Sequence, residues 1–102
     1  MFDIYLSETG HSGLFTAKTQ LASAGSLSFR YSGPHSLTVI LLDVEPGINQ
    51  RPVSYELLDS LHRYAWDNDC TLSFRCPKAK AMNDQQIAQQ LMQLSLYQDW
   101  AA

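Results

Sequence analysis

The sequence predicts a mixed α/β domain in which two main helices pack on a sheet of four to five strands, in the order β-β-β-β-α-β-α. Three observations predict this fold class. Residues 37–44 form a short, β-branched apolar run bounded by Gly-Pro and Pro-Gly pairs, which is typical of a strand covered on both faces. Residues 53–65 repeat apolar side chains at helical spacing, and residues 70–76 alternate apolar with polar side chains. We therefore expect a central right-handed β-α-β unit with two parallel strands.

The residues before this unit predict antiparallel strands. Alternating apolar residues at 2–6 and at 14–17, separated by turn residues, predict a hairpin. Residues 26–32 alternate in the same way, and their short link to the central run favours antiparallel pairing. Residues 18–25 form either one helical turn that ends at a glycine or a loop. Because no linker interrupts the composition, residues 1–102 are expected to form a single domain.

Two amphipathic segments predict the helices. In the first, Pro52 lies in the first turn, where a helix tolerates proline, and residues 67–69 end the helix. Its apolar stripe consists of Val53, Leu57, Leu58, Leu61, Tyr64 and Ala65. The second helix is expected to begin with Asn83 as its cap and to pack an apolar side on the domain, opposite a face of uncharged glutamines. That side consists of Ile87, Ala88, Leu91, Met92 and Leu94, with Leu96, Tyr97 and Trp100 closing the chain.

Composition and charge narrow the classes of function. A net charge of −3 with seven Lys and Arg residues argues against a nucleic-acid duplex as a partner. The chain shows neither a basic leader nor an apolar run of membrane-spanning length, so a cytoplasmic location without membrane insertion is expected. Cys70 and Cys76 would lie ~20 Å apart along one strand, too far for a disulfide. Histidines and cysteines lack ligand spacing, so we expect no metal, no cofactor and no catalytic residue.

Four stretches of the chain carry a family resemblance. They are ILLDV at 40–44, the helix core at 57–65, TLSFRCP at 71–77 and LMQLSLYQDW at 91–100. In hydrophobic pattern, residues 38–100 resemble the STAS domain, the module of anti-sigma-factor antagonists. The resemblance implies a regulatory module that docks on another protein. It also implies a long helix before the central strand, but residues 26–31 of this chain predict a strand there instead. Where the family carries its phosphorylated serine or threonine this chain has Pro52, so the resemblance implies docking without that switch.

Two connections are the candidate binding site. The carboxyl ends of parallel strands meet at one edge of a sheet, and ligands bind there in open α/β folds. One connection leads from the central strand into the first helix, and the other leaves the last strand. Their polar residues predict a partner-binding edge that could hold an anion or an acidic protein surface beside free helix amides; the alternative is two ordinary solvated connections. The predicted site residues are Glu45, Asn49, Arg51, Ser54, Lys78 and Lys80.

The sequence supports two hypotheses of function ahead of a third, an enzyme, which stays open although no catalytic residue can be named. The first is a small non-enzymatic binding or regulatory module that acts through protein–protein docking at this edge. The second is a stand-alone inhibitory or immunity-type accessory protein that blocks its target through an acidic or glutamine-rich face. That face would consist of Asp67, Asp69, Gln86, Gln89, Gln90 and Gln93. A helix between the hairpin and the central strand would favour the first hypothesis and an antiparallel meander the second; the sequence leaves a homodimer open.

Overall fold

The strands and helices have the predicted order. The computed structural model describes the backbone of residues 2–20 and 22–101, and the side chains of these residues up to residue 93. Over the described residues the chain forms five strands and two helices, which confirms the predicted α/β fold class. In chain order they are β1 (Asp3–Thr9), β2 (Ser12–Lys18), β3 (Ser23–Gly33), β4 (Ser36–Val44), α1 (Gln50–Asp67), β5 (Thr71–Phe74) and α2 (Pro77–Ala101). The strands lie side by side in the order β1-β2-β3-β4-β5.

Strands β1 to β4 form an antiparallel meander. The predicted β1–β2 hairpin is confirmed, and so is the antiparallel pairing of β3 with β4. Gly10 takes a φ of 59° in the turn of the hairpin, a left-handed conformation that glycine adopts without strain. Between β2 and β3, the Thr19 N–H donates to the Ala22 carbonyl at 2.9 Å. Both alternatives for residues 18–25 are wrong in extent, because Lys18 ends β2 and residues 23–25 already belong to β3; the described residues 19, 20 and 22 lie in the turn between the two strands.

Strand β4, helix α1 and strand β5 form the predicted β-α-β unit. β5 lies beside β4 and parallel to it, from Ser36 opposite Thr71 to Val39 opposite Phe74. The Asn49 side chain caps α1 at its start, and Pro52 lies in the first turn as predicted. The predicted parallel pair is therefore confirmed, but β5 is much shorter than β4.

One face of the sheet packs against the apolar stripe of α1. The stripe is buried as predicted, except that Tyr64 is only half-buried. The strand residues of this core are Phe15, Ala17, Ala24, Leu27, Phe29, Leu37, Val39, Leu42 and Val44. Gly25 allows close approach, because a Cβ there would lie 2.8 Å from the Asp43 carbonyl oxygen and 3.0 Å from Val53 Cγ1. Each leucine buried in this layer contributes about 1.5–3 kcal/mol relative to an exposed one.

The prediction that β4 is covered on both faces is wrong. Within the described residues both helices pack on the same face of the sheet, and the opposite face carries no second layer. On β4, Ile40 is 38 % exposed and Leu41 is 54 % exposed. The β3–β4 register shifts at Ile40, which interrupts the alternation of the strand. A strand that is buried on one face and contains such a shift has consecutive apolar residues in its sequence. It therefore looks like a strand that is covered on both faces.

Helix α2 differs from its prediction in two ways. It begins at Pro77 rather than after Asn83, because proline fits the first position of a helix and need not end the strand before it. Its predicted apolar side is not packed: Ile87, Leu91 and Met92 are all exposed. The remaining predicted packing residues, Leu94, Leu96, Tyr97 and Trp100, lie outside the described side chains. Over its described residues, neither α2 nor α1 combines the length and apolar character needed to cross a bilayer.

Polar pairs join α2 to α1. The Nε2–H of His62 donates to Asn83 Oδ1 at 2.6 Å, and Gln86 Nε2 donates to Asp59 Oδ1 at 2.7 Å. Asn83 and Gln86 are both buried, so neither is a cap or part of an exposed glutamine face. Because higher numbers on α2 meet lower numbers on α1, the two helices run in opposite directions.

The two cysteines flank β5 instead of lying within it. Cys70 precedes the strand and is half-buried, and Cys76 follows it and is buried. Both are free thiols, as predicted. The strand is shorter than predicted because the chain turns into α2 directly after Cys76.

Tyr64 connects α1 to three strands. Its ring lies 5.2 Å from the Phe29 ring and 6.0 Å from the Phe15 ring, centroid to centroid. Its hydroxyl donates to Glu8 Oε1 at 2.5 Å and hydrogen-bonds the Tyr31 hydroxyl at 2.8 Å. Burial, and then these two hydrogen bonds, raise the pKa of Tyr64 far above its ordinary value.

We expect Tyr64→Phe to lower the free energy of unfolding at neutral pH by about 1–3 kcal/mol, because Glu8 and Tyr31 lose their partner. In the unfolded chain a tyrosine ionises near pH ~10, whereas folded Tyr64 keeps its proton. Above that pH the unfolded state binds fewer protons, so the stability contributed by Tyr64 is complete below pH ~10 and is lost as the pH rises further. Urea unfolding of both proteins between about pH 8 and pH 11 measures this. Equal loss of stability in wild type and variant would contradict it.

Candidate functional site

Three of the predicted site residues share the connection between β4 and α1. Glu45, Asn49 and Arg51 are all exposed. The Asn49 side-chain oxygen accepts from the Arg51 N–H at 3.4 Å, so Asn49 acts as the helix cap. The Glu45 N–H donates to the Ala24 carbonyl at 2.9 Å, which holds the start of the connection against β3. This connection is therefore ordered by its own polar groups, and it leaves the Arg51 side chain exposed.

Ser54 does not belong to an exposed edge. It is 0 % exposed, so the prediction that it contacts a partner directly is contradicted. At 100° per residue, position 54 falls within the buried face of α1, since it lies one turn before Leu58. The helical spacing already contained this signal, because Ser54 continues the stripe of Leu58 and Leu61 toward the N-terminus.

Lys78 and Lys80 lie at the start of α2, away from Arg51. Lys80 is exposed and forms an ion pair with Asp84 at 3.2 Å, and Lys78 is half-buried. Asn83 of α2 meets His62, and the helices run in opposite directions, so Lys78 lies toward the C-terminal end of α1. Arg51 lies at the other end of α1, and a rise of 1.5 Å per residue separates the two by on the order of 20 Å. The structure therefore does not place the six predicted residues on one continuous edge.

Strand β4 extends beyond β5, so within the described residues no strand pairs with the end of β4 on that side. We call residues 40–44 the β4 overhang, because the last β4–β5 pair is Val39 with Phe74. The Glu45 N–H points to β3, and backbone groups alternate along a strand, so those of Leu42 and Val44 point to the β5 side. The short β5 does not reach them. The overhang was missed from the sequence, because residues 70–76 predict a strand almost as long as β4, whereas β5 covers only Thr71–Phe74.

Two buried hydroxyls of α1 lack partners. Ser54 Oγ and Tyr55 Oη are buried and make no hydrogen bond within the described residues. Val53 packs against Gly25 of β3, and Asp59 faces α2. Helical geometry therefore places Ser54 between these two directions, over β4, and Tyr55 toward α2. An unpaired buried hydroxyl costs roughly 1–3 kcal/mol, which makes this pair an unusual feature of the helix layer.

The acidic and glutamine-rich face predicted by the second hypothesis does not form one continuous surface either. Asp67 and Asp69 are exposed after α1, and Gln89, Gln90 and Gln93 are exposed on α2. Gln86 is buried between the helices, where its amide also lies 3.4 Å from the Tyr55 carbonyl oxygen. Within the described residues, no three His, Cys, Asp or Glu side chains are grouped so that they could hold a metal ion.

Comparison with known proteins supplies no family. No protein-family model matches the chain, and no curated protein matches it. The STAS resemblance stays a prediction. The long helix that it implies before the central strand is absent from the described residues between β2 and β4, where β3 lies instead.

We expect Ser54→Ala to leave the free energy of unfolding unchanged or to raise it by up to about 1 kcal/mol, because it removes a buried hydroxyl that has no partner. Val53→Ala is the matched control, since Val53 is the preceding residue and is also fully buried. It should lower the free energy by about 1–3 kcal/mol through the lost packing. Urea unfolding measures both. A similar loss in the two variants would mean that the hydroxyl is hydrogen-bonded.

Proposed function

We propose that this chain is a small, non-enzymatic binding module that docks an extended segment of a partner protein along the β4 overhang. The observation that carries the proposal is that β5 stops before the end of β4, so that within the described residues no strand pairs with Leu42 and Val44 on that side. Both residues are buried, so a docked segment has to displace the side chains that cover them. An open strand edge is a template for a further strand, because the main chain of an added peptide supplies the missing hydrogen bonds. Affinity then comes from the backbone, and specificity comes from the side chains at the two ends.

Charged side chains at both ends of the overhang suit an acidic segment. Its first end lies near the end of β5, where α2 begins at Pro77 and carries Lys78 in its first turn. Its second end leads through residues 45–49 to Arg51 in the first turn of α1. Five extended residues span ~17 Å, which is comparable to the separation of these two cations. Arg51 also lies in the first turn of α1, where free amides favour negative charge. Acidic residues spaced along one extended segment could therefore meet both cations.

The docking could regulate the partner or inhibit it. An antiparallel meander precedes β4, and this arrangement favours an accessory or inhibitory protein over a STAS-type regulator. However, Gln86 of the glutamine-rich face predicted for an inhibitor binds Asp59 between the two helices, so it is not free to contact a target. We therefore place the docking site of either kind of protein at the β4 overhang.

A small polar ligand with an anionic end is the second candidate. The observation in its favour is the pair of unpartnered hydroxyls of Ser54 and Tyr55, which face β4 and α2. A ligand that entered beside the overhang could bond these hydroxyls and the free backbone, and it could place its charge near Arg51. This function would use the same region as the docked peptide but requires access to the helix layer.

We expect peptides selected from a random display library on the immobilised chain to be extended and acidic. Binding of a synthetic selected peptide should weaken about tenfold or more in the double variant Arg51→Glu/Lys78→Glu, because attraction becomes repulsion at both ends. Arg63→Glu is the control, since Arg63 is exposed on the outer side of α1. Hydrogen exchange should show slower exchange of the Leu42 and Val44 amides in the complex. Binding that leaves these two amides unchanged would count against docking at the overhang.

For the second candidate, native mass spectrometry of the chain purified from its host should show a bound small molecule. Tyr55→Phe should reduce the occupied fraction, because the ligand loses a hydrogen bond, while Tyr5→Phe on the opposite face of the sheet should not. A chain that carries no added mass in gentle ionisation, or equal occupancy in both variants, would exclude this candidate.

A further inference from the structure

The face of the sheet opposite the helices carries a shallow depression. We call this surface the open face. The depression measures about 520 Å³ and crosses the sheet from β1 to the residue that follows β5. Its lining consists of Ser7, Thr9, Ser12, Gly13, Leu14, Ser28, Phe29, Arg30, Ile40 and Arg75. The residues of this lining belong to neither the β4–α1 connection nor the helix layer.

Among the described residues, the lining has two charged side chains, both arginines and both exposed. Arg30 lies opposite Thr38, and Thr38 lies opposite Ser73, two residues before Arg75. The two side chains therefore start two strand spacings apart and two residues offset along the strand, roughly 12 Å in all, and are long enough to converge. Within the described residues neither guanidinium has an ion-pair partner. Two unpaired cations side by side repel each other unless an anion lies between them.

The charge of the depression is opposite to that of the whole chain. The chain has 10 Asp and Glu residues against seven Lys and Arg residues. Asp43 is on the open face but pairs with Ser26, at the far end from Arg30, and it does not line the depression. A positive spot on an acidic protein attracts negative groups selectively, because the rest of the surface repels them.

The shape of the depression favours a peptide over a single small anion. Crossing five strands takes four spacings, or ~19 Å, which is the length of about six extended residues. Leu14 and Ile40 supply apolar surface beside the arginines, and Ser7 and Ser28 supply hydroxyls. A small oxyanion would occupy only the part between the two guanidiniums and would leave the apolar part uncovered.

We infer that the open face is a second docking site, which binds an acidic, partly apolar segment of a partner protein across the strands. Carboxylates of that segment accept hydrogen bonds from Arg30 and Arg75, in the paired geometry that guanidinium and carboxylate groups favour. Its apolar side chains cover Leu14 and Ile40. This site differs from the β4 overhang, since the two share only Ile40 among the residues named for them, and the site requires neither Arg51 nor Lys78.

Fluorescence polarisation with a labelled synthetic peptide of alternating Glu and Leu tests the site. We expect binding that weakens with added salt, and a loss of about tenfold or more in Arg30→Gln and in Arg75→Gln, because each variant removes a charged hydrogen-bond donor. Arg30→Lys and Arg75→Lys should retain part of the affinity. Arg63→Gln, on the outer side of α1, and Arg51→Glu, at the overhang, should bind as the wild type does.

Four results would overturn the inference. The first is the absence of binding at millimolar peptide. The second is equal binding of a peptide of alternating Lys and Leu. Another is unchanged affinity in the double variant Arg30→Gln/Arg75→Gln, with its fold checked by circular dichroism. The last is displacement of the peptide by an equal concentration of inorganic phosphate, which would indicate a site for small anions only.

Discussion

The burial of the apolar stripe of α1 on one face of the sheet is the constraint on which the rest of the structure depends. A helix of 18 residues brings Val53, Leu57 and Leu61 onto strands that contribute Leu27 and Phe29. Sheets of this size are not stable in water with both faces bare, so this contact supplies most of the driving force for folding. Glycine beneath the helix allows the backbone of α1 to approach, and Tyr64 fixes the far end of the helix to the strands.

The single helix layer has two consequences for function. Because both helices lie on the same face, the opposite face of the sheet stays exposed, and any partner that covers it must supply its own apolar and anionic groups. Because α2 runs antiparallel to α1, the two helices begin at opposite ends of the helix layer. The basic residue at the start of α2 therefore lies far from the basic residue at the start of α1. The polar pairs His62–Asn83 and Asp59–Gln86 determine this orientation. Hydrogen bonds between partly buried side chains specify one arrangement, whereas apolar contacts alone permit several.

The short β5 determines the character of the proposed overhang. A partner strand that ended level with β4 would have satisfied the backbone of Leu42 and Val44 and closed the edge. The shift at Ile40 matters too, since it decides which amides point away from β3. Within the described residues, the buried hydroxyls of Ser54 and Tyr55 on α1 also make no hydrogen bond.

The sequence by itself determined the local structure: the hairpin, the strand alternation, the stripe of α1 and the parallel β-α-β unit. Each of these features depends on periodicity, turn residues or connection length, and all three are visible in residues that are close together in the sequence. Tertiary structure alone decided which face of the sheet the helices cover, where α2 begins and points, and how far β5 extends along β4. Leu41 and Ile87 are as apolar as Leu42 and Leu58, yet only the last two are buried. Whether a side chain is buried depends on which helix or strand packs against it, and the order of residues in the sequence does not specify that packing.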